Sequence, residues 1–296
     1  MNIRDLRYLV CLADLGHFGK AAEACFVSQP ALSMQIKKLE TYLGVQLLER
    51  TNKSVSLTDT GITIVAAARQ ILQQIDELCD IAKAAKDPLR GEIRLGIFPT
   101  LAPYLLPYIM PGLSRHFPLV SFYLVEEKTD VLLEQLNMGV IHAAILAIPI
   151  PTRGLITTTL FDEEFLLAVP HGSALANQKN IKKEMIEHQK LLLLDDGHCM
   201  KNQVVSFCGN QENLNTQTFR ATSLEVLRHM VASGAGITLM PKLSTSRCNL
   251  ASYIPFSTPK PVRTIGLVYR ACTSKKILLT KIECQIKSIM AAIPER

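Results

Sequence analysis

The chain has 296 residues, of which 48% are hydrophobic and 20% are charged, and its formal net charge is +6. This composition is typical of globular proteins of two or three domains, and no apolar run approaches the roughly 18 residues of a membrane span. Because the first residues contain no apolar signal-peptide core, we expect a cytoplasmic protein. In that reducing compartment the eight cysteines are not expected to form a structural disulfide framework.

The first 58 residues predict a helix-turn-helix domain. Apolar residues recur at helical spacing over residues 6–13, and a short second helix is predicted over residues 20–25. A third helix begins after the predicted N-cap Ser28 and runs to about Tyr42. These 58 residues hold seven Lys/Arg and five Asp/Glu, so charge alone does not mark a nucleic-acid-binding domain.

The third helix has a polar outer stripe, and the strand-like residues 45–50 and 55–58 enclose a polar turn that predicts a wing. In a helix-turn-helix this outer face enters the major groove, where polar side chains contact bases and phosphates. A polar helix face is, however, more often simply solvated. The candidate DNA-binding residues are Arg4, Ser28, Gln29, Pro30, Ser33, Met34, Lys37, Arg50 and Lys53.

Residues 59–88 predict a long linker helix that is capped by Thr58 and ended by Pro88. Its apolar positions form a heptad seam, which buries little surface alone and favours pairing with a second helix. The seam therefore predicts a dimerising helix, with a single amphipathic helix packed on its own domain as the alternative. The seam residues are Val65, Ala68, Leu72, Ile75, Cys79 and Ala82.

From residue 89 onwards, strand-like and helix-like segments alternate, which predicts a parallel sheet with helices on both faces. The pattern restarts after residue 163. We therefore expect two α/β lobes, lobe I over residues 89–163 with 268–296 and lobe II over 164–267, the latter with a helix over residues 181–188. Thr100 and Thr129 follow strands of lobe I, where ligands bind in open sheets and where threonines can also simply cap helices.

Two cysteines lie nine residues apart between Asp195 and Cys208. Cys199 has His198 before it and Lys201 two positions after it, and cationic neighbours make a thiol more reactive by favouring the thiolate. Cys199 is thus a candidate reactive thiol, and Cys208 a candidate partner after oxidation. Both could instead be small buried apolar residues. A metal site with His198 is disfavoured, because no fourth ligand is recognisable.

Several sequence motifs resemble one family. Three motifs lie within the first sixty or so residues: Phe18-Gly19-Lys20-Ala21-Ala22, Val27-Ser28-Gln29-Pro30-Ala31-Leu32-Ser33 and Leu43-Gly44-Val45-Gln46-Leu47-Leu48-Glu49-Arg50. Over these residues the chain is similar to the DNA-binding domain of LysR-type transcriptional regulators. Met34 departs from that pattern, where the family often has arginine. Three later motifs are Asp196-Gly197-His198-Cys199, Phe219-Arg220-Ala221-Thr222-Ser223-Leu224-Glu225 and Arg263-Thr264-Ile265-Gly266-Leu267. They resemble the hydrogen-peroxide-sensing branch of the family.

The resemblance implies an α/β fold with an N-terminal winged helix-turn-helix, a dimerising linker helix and a two-lobed periplasmic-binding-protein-like sensor. It also implies a cytoplasmic homodimer or homotetramer that binds a double-stranded DNA operator and activates oxidative-stress defence genes together with RNA polymerase. Such a regulator is not an enzyme, and it needs no membrane, metal or other cofactor.

The chemistry that the resemblance implies starts with hydrogen peroxide oxidising Cys199 to a sulfenic acid. Cys208 then condenses with it to form a disulfide. The residues that would bind or activate the peroxide are Thr100, Thr129, His198 and Arg263, the last by supplying positive charge that favours the thiolate.

One residue departs from the implied chemistry. Asn202 stands where the family usually has an aspartate, and a neutral amide cannot donate a proton to the leaving hydroxide. Two alternatives stay open: a LysR regulator that binds a metabolite and has inert cysteines, and a thiol peroxidase that turns peroxide over. The other six cysteines are expected to be structural.

Overall fold

The computed structural model describes residues 1–50, 55–84, 87–151, 153–187, 189–195, 200, 203–204, 207, 220–245 and 250–293. These residues divide into two compact units, Met1–Ala82 and Lys83–Arg296. In the described ranges, no helix combines the length and apolar character needed to cross a membrane.

Three helices build the N-terminal unit: α1 (Ile3–Leu15), α2 (Phe18–Ala24) and α3 (Gln29–Leu43). The predicted N-cap of α3 is confirmed, because Ser28 Oγ accepts a hydrogen bond from the Ala31 N–H at 3.4 Å. The helices pack around a core that includes Leu9, Leu12, Leu32, Ile36 and Leu39. The predicted helix-turn-helix is therefore confirmed, with a second helix that starts two residues earlier than expected.

The predicted wing strands are also present. Strands β1 (Leu48–Arg50) and β2 (Val55–Leu57) pair antiparallel. The Glu40 carboxylate of α3 accepts hydrogen bonds from the backbone N–H groups of Leu47 at 2.9 Å and Leu48 at 3.3 Å. One carboxylate of the third helix thereby fixes where the wing leaves the domain.

The linker helix is α4 (Asp59–Ala84). Its predicted cap is confirmed, since Thr58 Oγ1 accepts from the Gly61 N–H at 2.9 Å. The first two seam positions, Val65 and Ala68, are buried within the chain. Farther along α4, apolar side chains in and beside the seam are exposed: Ile71, Leu78, Cys79, Ile81 and Ala82.

The second unit contains the remaining elements. Its strands are β3 (Gly91–Ile97), β4 (Val120–Glu126), β5 (Ala143–Ile148), β6 (Leu155–Val169), β7 (Leu193–Leu194), β8 (Arg220–Ala221), β9 (Thr238–Pro241), β10 (Ser252–Pro255) and β11 (Val262–Arg270). Its helices are α5 (Ala102–His116), α6 (Thr129–Asn137), α7 (Leu224–Ala232), α8 (Lys242–Thr245) and α9 (Lys276–Ala291).

The main sheet is mixed, so the prediction of a parallel sheet was wrong. Over the described residues its order is β10-β6-β11-β5-β3-β4, with β9 also paired to β6. Only β3 pairs parallel, with β4 and β5, whereas β11 pairs antiparallel with β5 and β6. The long strands β6 and β11 run through both lobes. The alternation of segments in the sequence does not reveal the direction of such a returning strand.

Two local predictions in this unit also failed, and two short strands were not predicted. The helix expected over residues 181–188 is a 3₁₀ turn, Lys183–Ile186, because Ile181 is held in a bridge by backbone hydrogen bonds with Pro255 and Ser257. Thr129 does not cap a helix, since α6 starts at Thr129 itself. Strands β9 and β10 were missed, being only four residues long each.

Each lobe has its own apolar core. Lobe I packs residues of β3, β5, α5 and α9, among them Leu95, Ile145, Leu105 and Leu279. Lobe II packs residues of β6, β7, α7 and β9, among them Leu167, Leu193, Leu227 and Leu239. The crossing strands β6 and β11 therefore connect two separately packed bodies.

Gly61 offers a test of how the linker helix meets the wing. A Cβ atom at this position would lie 2.1 Å from the Leu47 carbonyl oxygen, which belongs to the backbone and cannot rotate away. We expect Gly61→Ala to lower the free energy of unfolding by about 1–3 kcal/mol, as overpacking does.

The matched control is Gly172→Ala, because a Cβ there would meet nothing within 4 Å. Urea unfolding of both variants measures the difference. Equal stability of the two variants would contradict the described contact between the linker helix and Leu47.

Candidate functional site

The candidate DNA-binding residues of α3 lie on one helix face. Gln29, Pro30, Met34 and Lys37 are exposed, and Ser33 is half-buried. Gln29, Ser33 and Lys37 are spaced by four residues, which places them in one stripe along the helix. Ser28 Oγ accepts the capping hydrogen bond of α3. Because this bond uses the oxygen as an acceptor, the hydroxyl proton of Ser28 can still be donated.

The remaining DNA-binding candidates are placed less completely. Arg4 is exposed in the first turn of α1. The backbone of Arg50 ends β1, and Lys53 lies outside the described residues. The structure therefore brings the α3 candidates together on one surface, and it leaves the wing tip as a sequence-based prediction.

In the sensor unit, Thr100 and Thr129 lie at one edge of the sheet. Thr100 comes three residues after β3, and Thr129 comes three residues after β4. These strands are parallel neighbours, and their last residues, Ile97 and Glu126, are register partners. The two threonines thus occupy equivalent positions where strands of an open sheet end, which is where ligands bind in such folds.

Thr100 is held there by Arg263. Its side-chain oxygen accepts from Arg263 Nη1 at 3.0 Å, and its carbonyl oxygen accepts from Nη2 at 3.1 Å. Thr100 is 2% exposed and Arg263 is also 2% exposed, so both contacts are dry. Since the guanidinium uses the Thr100 oxygen as acceptor, the hydroxyl proton of Thr100 must point elsewhere.

The Arg263 charge is balanced by a carboxylate that the sequence analysis did not select. Glu163 Oε2 lies 2.8 Å from Nε and 2.7 Å from Nη2 of Arg263. Rings of Phe98 and Phe165 lie 5.2 Å and 5.6 Å from the guanidinium carbon, a distance at which aromatic faces attract cations. Glu163 therefore balances the positive charge that Arg263 is expected to supply to the thiolate.

Glu163 was missed because its role depends on strand register. Glu163 on β6 and Arg263 on β11 are direct cross-strand partners. Its other oxygen, Oε1, accepts from the Leu243 N–H of α8 at 3.0 Å. The sequence offered only a weak signal, the acidic run of residues 162–164 near the expected crossing between lobes.

Thr129 differs from Thr100 in having an unused side-chain oxygen. Its Oγ1 is buried and has no hydrogen-bond partner within the described part of the chain. A buried hydroxyl without a partner costs free energy, and it is satisfied when a small polar molecule reaches it. The edge of lobe I therefore presents one oriented hydroxyl and one unsatisfied hydroxyl.

The predicted redox residues Cys199, Cys208 and His198, with Asn202, lie outside the described residues. The described residues between Cys199 and Cys208 are helical: Met200, Gln203, Val204 and Phe207. Met200 and Val204 are each 1% exposed and belong to the core of lobe II, and the Phe207 ring meets that of Phe256 edge-on at 5.1 Å. This stretch is anchored at both sides by the parallel pairing of β7 with β8.

The other described cysteines fall into two groups. Cys79, Cys272 and Cys284 are exposed within the chain, so they lie outside its cores. Cys11 and Cys25 are half-buried and meet at one carbonyl: the Ala21 oxygen accepts from Cys11 Sγ at 3.8 Å and from the Cys25 N–H at 3.0 Å. Among the described residues, no three His, Cys, Asp or Glu side chains are grouped so that they could hold a metal.

Comparisons with known proteins agree with this layout. Residues 3–62 match the model of the bacterial regulatory helix-turn-helix protein, lysR family, and residues 86–275 match the LysR substrate binding domain. The chain is 45% identical over 273 residues to the hydrogen peroxide-inducible genes activator of Pectobacterium carotovorum, covering 91% of this chain and 90% of the relative.

Two solved structures are similar over nearly the whole chain. Full-length OxyR of Pseudomonas aeruginosa, in a mutant form, has a TM-score of 0.78 and 35% identity, and the match covers 97% of this chain and 95% of that one. A mutant of Corynebacterium glutamicum OxyR described as H2O2-bound has a TM-score of 0.67 and 32% identity, with 98% and 92% covered.

The thiol of Cys25 yields a pH-dependent prediction. Burial, and then its hydrogen bond with Cys11, raises the pKa of the Cys25 thiol to about 11. Only the thiolate is alkylated or oxidised rapidly, so labelling of folded protein by iodoacetamide should be very slow at pH 7. It should then rise about tenfold per pH unit until the pKa is reached.

Peptide mass spectrometry after timed labelling measures this profile. Cys11→Ala removes one of the causes of the shift, so it should speed the labelling of Cys25 at any given pH below 11. If Cys25 is labelled at pH 7 as fast as exposed Cys284, the described environment is wrong.

Proposed function

The chain belongs to the LysR family of bacterial transcription regulators, and from that premise we propose that it is an OxyR-like activator that senses hydrogen peroxide through Cys199 and Cys208. Its winged helix-turn-helix binds a double-stranded operator, and its two-lobed, periplasmic-binding-protein-like unit senses the oxidant. The observation that carries the proposal is the pair of threonines at one sheet edge, one oriented by buried Arg263 and the other unsatisfied.

Hydrogen peroxide fits such a pair because each of its oxygens both donates and accepts hydrogen bonds. Thr100 can donate its hydroxyl proton to one peroxide oxygen. The Thr129 hydroxyl can both donate a hydrogen bond to the peroxide and accept one from it. His198 would complete the site from the cysteine stretch. The pair of hydroxyls would hold the peroxide with its O–O bond directed at the Cys199 sulfur.

The chemistry then proceeds in two steps. The Cys199 thiolate attacks one peroxide oxygen, the O–O bond breaks, and the other oxygen leaves as hydroxide, which takes up a proton to become water. In the second step the Cys208 sulfur attacks the sulfenic sulfur, the S–S bond forms, and the S–O bond breaks with release of water. With Asn202 in place of an acid, either water or another group supplies the proton for the leaving hydroxide, or the response is slower.

In this mechanism Arg263 acts mainly by holding Thr100. Glu163 cancels its net charge at 2.7 Å, so the long-range field at a thiolate is that of a dipole and falls off steeply. The guanidinium still fixes both oxygens of Thr100. Arg263 therefore sets the direction of a hydroxyl, in a part of the protein where water cannot compete.

Disulfide formation would require residues 199–208 to refold if they form one helix in the reduced protein, as the helical Met200, Gln203, Val204 and Phe207 suggest. Nine helical steps of about 1.5 Å would then place Cys199 and Cys208 roughly 13 Å apart. A disulfide needs Cα atoms within about 7 Å of each other. In that case, joining Cys199 to Cys208 would pull Met200, Val204 and Phe207 out of their present packing, and residues 199–208 would be a two-state element.

The signal would reach DNA through the assembly. The exposed apolar side chains of the distal part of α4 suit a second copy of the same helix, which gives a homodimer, and contacts between sensor units would give a homotetramer. We place this assembly in the cytoplasm, where the oxidised form recruits RNA polymerase to oxidative-stress defence genes. It responds once per oxidation, so it is a regulator and not an enzyme.

The cysteine assignment is tested with purified protein, peroxide and non-reducing peptide maps. Wild type should give a Cys199–Cys208 disulfide and a changed DNA footprint. Cys199→Ser should lose both without unfolding, and Cys208→Ser should form a sulfenic acid that dimedone traps, but no internal disulfide. The control Cys284→Ser, which alters an exposed cysteine of α9, should behave as wild type.

Other outcomes point to other functions. A footprint that changes with a metabolite and not with peroxide favours a metabolite regulator. Many turnovers of peroxide with a thiol reductant favour a peroxidase.

The DNA-binding face is tested by Ser33→Ala and Lys37→Ala, both of which should weaken operator binding without affecting thiol oxidation. If Lys37 contacts a phosphate, its loss should also reduce the slope of log affinity against log salt by about one unit. Lys281→Ala, which removes an exposed lysine of α9, is the control for total charge. Unchanged affinity in both test variants would reject this face of α3.

A further inference from the structure

A hydrogen bond that lies outside the proposed peroxide site joins the two lobes. The Tyr104 hydroxyl of α5, in lobe I, donates to Glu225 Oε1 of α7, in lobe II, at 2.8 Å. Both oxygens of Glu225 also accept from Nη1 of Arg228, at 2.9 Å and 3.0 Å. The carboxylate is thereby fixed from its own helix and presented to the tyrosine.

Burial, followed by the hydrogen bond to Glu225, raises the pKa of Tyr104 above its usual value. The phenol therefore stays protonated at physiological pH, and its one proton is committed to the carboxylate. A hydrogen bond to a charged acceptor contributes more to stability than a neutral one.

Arg228 extends these contacts into a closed path. Its side chain is 4% exposed, and its Nη2 donates to the Ser244 carbonyl of α8. The neighbouring Leu243 N–H donates to Glu163, the partner of Arg263. Arg263 in turn donates to Thr100. Thr100 lies only four residues before Tyr104 in the chain, so this series of contacts ends close to the residue at which it started.

The α7 end of this path packs against described residues of the cysteine stretch, which comprises residues 196–208. Helix α7 begins three residues after β8, the strand that closes that stretch by pairing with β7. Leu224 and Leu227 of α7 belong to the same core as Met200 and Val204. If Met200 and Val204 leave that core on oxidation, α7 loses packing partners at the turn that carries Glu225.

We propose that Tyr104, Glu225 and Arg228 form an inter-lobe latch that holds the reduced packing of the sensor and opens when the cysteine stretch refolds. The latch rests on the proposed function, since it stabilises one side of that redox equilibrium. Tyr104 and Glu225 are positioning residues, because they act through α5 and α7 and do not touch the peroxide.

The reduction potential of the disulfide tests the latch, because a merely structural defect would not shift it in one direction. Full-length Tyr104→Phe is equilibrated with defined ratios of reduced and oxidised dithiothreitol, and the Cys199–Cys208 disulfide is quantified by mass spectrometry. Losing the latch weakens only the reduced packing, so the equilibrium should shift toward the disulfide by on the order of fivefold to tenfold. Glu225→Gln, which keeps an acceptor but loses the charge, should shift it in the same direction and by less.

Two controls match these variants. Tyr123→Phe removes the hydroxyl of a tyrosine that is 62% exposed, and Glu164→Gln breaks a surface ion pair with Lys260 whose length is also 2.8 Å. Neither should move the equilibrium. If Tyr104→Phe and Glu225→Gln both match a wild type that forms the disulfide, the latch is refuted. If wild type forms no such disulfide, the proposed function itself fails.

Discussion

A buried ion pair between Arg263 and Glu163 is the contact on which the geometry of the sensor unit depends. Both side chains are almost fully removed from water, and such charges are tolerated only when they are paired and hydrogen-bonded. Breaking a buried pair by removing one partner typically costs roughly 3–5 kcal/mol. Because the two residues face each other across β6 and β11, the pair fixes the register of the strands that connect the lobes.

Other features of the site follow from this pair. Arg263 also donates from Nη1 and Nη2 to Thr100, which places a threonine hydroxyl at the sheet edge. The second carboxylate oxygen of Glu163 accepts a hydrogen bond from the Leu243 N–H, which holds α8 against the crossing strand β6. A small oxidant with no charge and little surface gives a protein few features to recognise, so a rigid set of hydroxyls in a dry site is a physically reasonable way to bind it.

The strands on either side of the cysteine stretch pair over far fewer residues than the strands that carry the ion pair. The stretch is enclosed by β7 and β8, which pair through two residues each, while β11 pairs with β6 over nine. A segment with few hydrogen bonds at its ends can change packing at low cost, whereas the frame around it cannot. In the proposed mechanism, the protein would combine a rigid peroxide site with a segment that has two arrangements, and a switch requires both.

The sequence by itself determined the local features of this protein. The capping residues Ser28 and Thr58 and the apolar spacing of the first helices were recognisable because they depend on neighbours within one or two turns. The motifs around Cys199 and Arg263 also pointed to the family, because each motif is a run of consecutive residues. The antiparallel return of β11, the partner of Arg263 and the contact between Tyr104 and Glu225 were decided only by the tertiary structure. Each of these joins residues more than ninety positions apart in the chain, and no local pattern specifies which distant side chain a given charge or hydroxyl will meet.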